Sequence, residues 1–153
     1  MALEDDIRLL AKVDLFQGLD REQLRLLAFG AERRRFRDGV DVHLPGDAAA
    51  GGMIITEGAL EFWRQTTDGR KSEGIAGPVT LVGEMALLLE TDRTHGATAR
   101  GETEVLTLSR SLFRRMLEEY PDFALALHGR ISERLANLAG DLLTLAPVFA
   151  REG

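Results

Sequence analysis

The spacing of apolar positions changes period twice along the chain. Leu3, Ile7, Leu10 and Ala11 recur at helical spacing near the N-terminus. A second helical stretch, Arg21–Gly30, follows Asp20, a side chain suited to cap the first free N–H groups of a helix. In the middle the period shortens. Val40, Val42 and Leu44 alternate, and Met53–Trp63 holds two apolar runs split at Glu57-Gly58, which reads as a tight hairpin. Asp68-Gly69 is a strong turn signal, Pro45–Gly52 has the composition of a loop, and Glu104–Arg110 is a further short strand. Strands at roughly ten-residue spacing with glycine-rich turns predict a β-sandwich or barrel.

The helical period returns at Ser109. Ser109 or Ser111 is placed to cap Leu112–Tyr120, which stops before Pro121. Asp122 then opens a long helix that runs to about Leu145 and is ended by Pro147. On it Leu127, Ile131, Leu135, Leu138, Leu142 and Leu145 are spaced 4, 4, 3, 4 and 3. Two readings fit that near-heptad stripe: a homodimer seam, or a helix packed on its own barrel. The order predicts one α+β domain over 1–153, with N-terminal helices at 1–30, a β-roll at 36–110, and a short and a long C-terminal helix at 111–146.

Composition narrows the function classes. The chain has 153 residues, 44% hydrophobic and 29% charged, as expected of one globular domain. No apolar run approaches the roughly 18 residues of a membrane-spanning helix, and the acidic start MALEDDIRLL lacks the regions of a signal peptide. A cytoplasmic location is the default expectation. There are no cysteines, which removes disulfides, thiolate metal sites and cysteine nucleophiles. The net charge of −6 argues against general nucleic-acid binding. The one basic run, Glu32–Arg37, reads either as a phosphate or partner patch, or as a solvated helix end leading into a strand.

Candidate chemistry is sparse. His43, His95 and His128 are far apart and form no metal-binding spacing, so a cupin-type enzyme on this barrel lacks its ligands. His43 reads as a strand residue and His128 as a helix-surface residue. His95 reads as a loop residue or as a ligand neighbour. No GxSxG motif or triad spacing is present, so a binding module is expected rather than an enzyme, with no metal and no cofactor.

The segment Leu81–Arg100 can be read as an anion site. Gly83 lets backbone approach a ligand closely, and Glu84–Leu89 would form a single helical turn whose free N–H groups favour phosphate. Arg93 supplies a planar fork for phosphate oxygens and Thr94 a hydroxyl beside it. Glu84 would repel a phosphate but could accept a sugar hydroxyl. A carboxylate, an arginine and apolar walls together describe a nucleotide pocket. The alternative is that Glu84 caps the turn and Arg93 pairs with Glu90 or Asp92 on the surface.

GEMALLLETDRT, within that segment, resembles the phosphate-binding cassette of cyclic-nucleotide-binding domains. LFQGLDREQLRLLA resembles the family's N-terminal helical piece, LPGDAAAGGMIITEGALEF its hairpin, and TEVLTLSRSLFRRMLEEYPDF its last strand and following helix. The resemblance implies an antiparallel β-roll of the double-stranded β-helix, jelly-roll-like type, with its cassette at 82–95. It implies a cyclic AMP or cyclic GMP ligand, with Gly83, Met85 and Ala86 presenting backbone amides. Glu84 would take the ribose 2′-hydroxyl, Arg93 the phosphate, and Thr94 the position of a small residue. It further implies a regulatory sensor that transmits binding through its C-terminal helix to an unknown protein partner, likewise without a helix-turn-helix in these residues. A stand-alone sensor or an excised domain are both compatible with that length. Asp92 replaces a proline, Gly96 a larger residue, and Leu138 and Ala139 stand where a purine edge would be read. Those departures support the alternative of a dimerising or partner-docking scaffold without ligand.

Overall fold

The computed structural model describes residues 2–129. Its first compact unit ends at Met116 and the second begins at Leu117. The first unit opens with α1 (Ala2–Leu10), a 3-10 turn at Asp14–Phe16 and α2 (Arg21–Gly30). Asp20 and Gln23 form a reciprocal capping box: Gln23 N–H donates to Asp20 Oδ1 at 2.8 Å and Asp20 N–H donates to Gln23 Oε1 at 3.0 Å. Helical periodicity turns Ile7, Leu10, Leu24 and Leu27 inward, and α1 packs on α2.

Eight strands follow: β1 (Glu32–Phe36), β2 (Asp41–His43), β3 (Ala48–Ala49), β4 (Gly51–Thr66), β5 (Gly69–Ala76), β6 (Leu81–Val82), β7 (Thr91–Asp92) and β8 (Gly96–Ser109). They pair antiparallel in the order β1-β8-β4-β5, with β2 also on β8 and β6 also on β4, while β3 and β7 form a separate ribbon. This is the expected α+β arrangement, an antiparallel β-roll that does not close into a barrel. The roll begins at Glu32, four residues before the expected start at 36, because the basic run is itself β1 rather than a helix end.

The hairpin expected at Glu57-Gly58 is absent. β4 runs through it, paired with β8 from Gly51↔Ser109 to Trp63↔Gly96, and the register shifts on both sides of Glu57. A polar-glycine pair has turn composition, but β8 continues past it, so the strand bulges and bends instead of reversing. Gly58 has φ +77°, and a Cβ there would run into the backbone of Glu102 and Thr103. The reversal occurs at the expected Asp68-Gly69, between Thr66 and Gly69 of β4 and β5. Pro45–Gly52 is also more ordered than a loop, since it contains β3 and the start of β4.

Met53, Ile55, Leu60, Ala97 and Val105 form a core, with Phe36, Val42, Phe62, Ala76 and Val82 packed against it. The strand period sends Ile54 to the opposite face, where it is also fully buried. Each such side chain contributes about 1.5–3 kcal/mol of burial. Val40 and Leu44, expected to share the inward phase of Val42, are exposed because β2 is only three residues long.

An ion cluster fastens α1 to the sheet. Arg33 donates to both oxygens of Asp6, at 2.8 and 2.7 Å, and also to Glu104. Arg35 reaches the same buried carboxylate at 2.7 Å and the Thr56 hydroxyl donates to it at 2.9 Å. Two arginines of the basic run are therefore structural.

β8 leads into α3 (Arg110–Glu119), capped by Ser109, whose Oγ accepts from Leu112 N–H at 3.0 Å. Pro121 does not only stop α3. It opens the next helix, at 121, one residue before the expected Asp122, in the first-turn position where its missing N–H costs nothing. Within the second unit that helix is described over 121–129, with Phe123 and Leu127 buried and His128 on its surface. The rest of the expected leucine seam, from Ile131 to Leu145, lies outside the described residues.

Candidate functional site

The six residues singled out from the sequence, Gly83, Glu84, Met85, Ala86, Arg93 and Thr94, line one cavity of about 460 Å³. Ala49, Phe62 and Val82 add apolar wall, and His43 and His95 add polar groups. A mostly apolar concavity of a few hundred Å³ with convergent polar groups is the usual form of a small-molecule site.

The cavity floor is built by a glycine. Gly83 has φ +80° and precedes a 3-10 turn, Glu84–Leu87, slightly shorter than the expected 84–89. Its lack of a side chain serves a second purpose, because a Cβ would collide with the Arg93 guanidinium that lies over it. The turn's own bonding uses one expected donor: Ala86 N–H donates to Gly83 O at 3.0 Å.

Arg93 is held from sequence far away. Asp47 N–H donates to Leu44 O at 3.2 Å around Pro45 and Gly46 (φ +88°), the signature of a type II turn. Asp47 Oδ2 accepts from Leu44 N–H at 2.8 Å and fixes that turn. Gly46 N–H then donates to Arg93 O, and Arg93 N–H to Asp47 O, both at 2.7 Å. The guanidinium Nη2 donates to Gly51 O at 3.0 Å. Arg93 is half-buried and forms no ion pair among the described residues. Burial pulls its basicity below the ordinary value, with Asp47 acting in the opposite sense. The surface pairing with Glu90 or Asp92 is thus not formed. Asp92 is exposed on β7, paired in register with Ala48.

The turn is also gripped at its far end. Arg110 Nη1 donates to Ala49 O, Ala86 O and Leu89 O at 3.1, 3.2 and 3.1 Å. These carbonyls include ones left over where a short helix ends.

Gly96 has a packing reason. A Cβ there would collide with Cε2 and Cζ2 of Trp63, directly across the strand pair. Trp63 Nε1–H donates to Thr98 Oγ1 at 2.9 Å, and Thr98 O–H donates to Asp41 Oδ1 at 2.7 Å. Arg70 closes the loop: it grips both oxygens of Asp41 and stacks 3.8 Å over the Trp63 ring. The glycine is matched to this tryptophan, not a sign of a decayed strand.

Sequence reasoning missed Phe62, Val82, Ala49 and His43 as cavity residues. Phe62 and Val82 carried only a core signal, which is also true of them. His43 was legible as a strand residue, and it is one, but nothing in its neighbourhood tied it to Arg93, fifty positions on in sequence.

Fold and site together define a small-molecule-binding β-roll. The cyclic nucleotide-binding domain model matches residues 33–120, and the chain belongs to that family. It is 31% identical over 133 residues to the cyclic AMP receptor protein of Thermus thermophilus, covering 85% of this chain and 62% of that protein. A cyclic nucleotide-binding-like protein from Brucella abortus has a similar structure, with a TM-score of 0.70 and 46% identity, over 74% of this chain and 98% of the other. The N-terminal domain of a Streptomyces coelicolor transcriptional regulator superposes with a TM-score of 0.82 at 27% identity, over 88% and 94% of the two chains. The chain spans about 62% of the length of the curated relatives it matches. Among the described residues no helix is long and apolar enough to cross a membrane, and no acidic or histidine cluster is placed to hold a metal.

Proposed function

We propose that the cavity binds a cyclic nucleotide, cyclic AMP or cyclic GMP, and that the domain is a regulatory sensor. The observation that carries this reading is Arg93: a half-buried guanidinium on a cavity wall, clamped by backbone, with no ion pair among the described residues and only the longer-range pull of Asp47 to offset its burial. Burying a cation without a partner is costly, and an anion that fits the cavity recovers that cost. Arg93 takes the cyclic phosphate, with the Thr94 hydroxyl beside it. Glu84 takes the ribose 2′-hydroxyl. Gly83 and Met85 bring backbone close to the ligand, and Ala86 leaves room for it. The name of the Thermus relative, a cyclic AMP receptor protein, supports the choice of ligand class.

Binding draws the Glu84–Leu87 turn inward and is transmitted through the C-terminal helix, with a homodimer along the leucine seam and a protein partner as the readout. Light scattering tests the dimer. Leu135→Glu is expected to yield monomer, and a dimer that survives it moves the interface elsewhere.

Thermal unfolding with each nucleotide tests the ligand. At 100 times the dissociation constant a ligand adds about 2.7 kcal/mol of stability. Arg93→Ala removes that shift, and Arg93→Lys restores part of it, since lysine keeps the charge but not the fork. The reading fails if millimolar cyclic AMP and cyclic GMP both leave the wild-type transition unmoved.

A further inference from the structure

His43 closes β2 immediately before the Leu44–Asp47 turn that clamps Arg93. A second cavity, of about 570 Å³, adjoins the first, and His43 and Arg93 are the two residues that line both. The imidazole therefore stands in the partition beside the guanidinium. Both of its ring nitrogens are out of contact with solvent and neither has a hydrogen-bond partner among the described residues; the nearby His95 backbone favours the protonated ring without completing a bond. A neutral imidazole has one donor and one acceptor to satisfy, and buried polar groups left unmet call for an explanation.

We infer that on binding the His43 ring turns so that a nitrogen sealed from solvent in the free protein meets the anionic group of the ligand beside Arg93, and that binding draws a proton onto the ring. The inference rests on the cyclic-nucleotide reading of the cavity. In the free protein, burial and then the positive charge of Arg93 push the His43 ring down to about 4, with Asp47 pulling weakly the other way. At neutral pH the ring is uncharged. A phosphate seated on Arg93 cancels the repulsion and offers an acceptor to a ring N–H, and both effects favour the imidazolium. The other charged groups facing the ring are Glu32, Arg34 and Asp47 on the second cavity, and Glu84, Asp92 and His95 on the first. Their side chains are present with and without ligand, so the new charge on binding is the phosphate's.

The sign follows from proton counting. The complex binds more protons than the free protein between about pH 4 and the higher value reached in the complex, so affinity rises as pH falls through that interval. A return to the ordinary 6.5 would tighten binding about tenfold between pH 8 and pH 5.5.

Calorimetric titration with cyclic AMP at pH 8 and 5.5, in buffers of different ionisation enthalpy, measures both affinity and protons taken up. Wild type is expected to bind about tenfold tighter at pH 5.5 with net proton uptake. His43→Gln should bind with a flat profile and no uptake, and His95→Gln, the control for the other imidazole on the cavity, should keep the wild-type slope. A flat wild-type profile overturns the inference, as does a slope that persists in His43→Gln or disappears in His95→Gln. Ring-proton NMR of the wild type gives the same decision should His43→Gln fail to fold: one histidine must be neutral at pH 5.5 alone and charged with nucleotide. Absence of saturable binding at either pH overturns the cyclic-nucleotide reading itself, and is distinct from binding without a pH slope.

Discussion

Gly96→Ala is the sharpest test of how the strand leaving the site is packed. The added methyl meets the six-membered ring of Trp63, a residue only 4% exposed, with backbone pairing on both sides to prevent a slide. Overpacking of this kind costs about 1–3 kcal/mol. Relief by rotating the indole breaks the Nε1–Thr98 bond and lifts the ring from Arg70, which adds about 1 kcal/mol. The expected loss is about 2–4 kcal/mol, a fall in midpoint of about 4–16 °C for a chain this size. Trp63→Phe removes the atoms in the way but also burial and the hydrogen bond, so it destabilises alone. Combined with Gly96→Ala it should cost less than the sum of the two by at least about 1 kcal/mol. Urea unfolding followed by circular dichroism measures all four corners of the cycle. Additivity within about 0.5 kcal/mol would refute the argument, because it would mean glycine and indole do not constrain each other.

Three further outcomes follow from the same contacts. Glu104→Gln should lower stability at pH 7 by about 2–3 kcal/mol, below the range for fully buried pairs because Arg33 and Arg35 are partly exposed. Burial pushes the Glu104 carboxyl up, but the Thr56 hydroxyl and the two arginines more than reverse it, so its stabilisation is present above the ordinary carboxylate range and lost as pH falls through the lowered folded value; wild type and variant should converge in acid on urea titration. Arg110→Met should raise amide exchange at Leu88 and Leu89 at least about tenfold, since two contacts to carbonyls of the cassette turn, and a third that ties them to Ala49 on β3, are removed, and unchanged exchange would show that the turn holds itself. Asp20→Ala should cost about 1 kcal/mol, or about 2–4 °C in midpoint, with Asp20→Ser recovering most of it.

The readable parts of this chain are those whose cause is local. Asp20 capping α2, Ser109 capping α3 and the turn at Asp68-Gly69 each depend on side chains within three residues of the backbone they satisfy. The cassette residues were readable for the same reason, being contiguous from Gly83 to Thr94. Errors occurred where a distant partner decided between two local options. Glu57-Gly58 could turn or bulge, and β8 chose the bulge. Glu32–Arg37 reads as a phosphate or partner patch or as a helix end leading into a strand, yet it is the strand itself, and Asp6 and Glu104 give Arg33 and Arg35 the ion-pair partners that hold it there.

The same distinction separates having Arg93 in the sequence from having an anion site. The cassette motif supplies the guanidinium and the glycine beneath it, but neither fixes where the fork points. That is fixed by Gly46 and Asp47 holding its backbone and by Gly51 accepting from its side chain, 42 positions away. Those residues belong to the turn before β3 and to the first residue of β4, within a stretch the sequence presents only as a glycine-rich loop. The Leu44–Asp47 turn has His43 at its head, so the segment that aims Arg93 also sets the imidazole beside it. An insertion that lengthened this turn by one residue would therefore move both groups together. The chemistry of the cavity is in this sense a property of the turn as much as of the cassette.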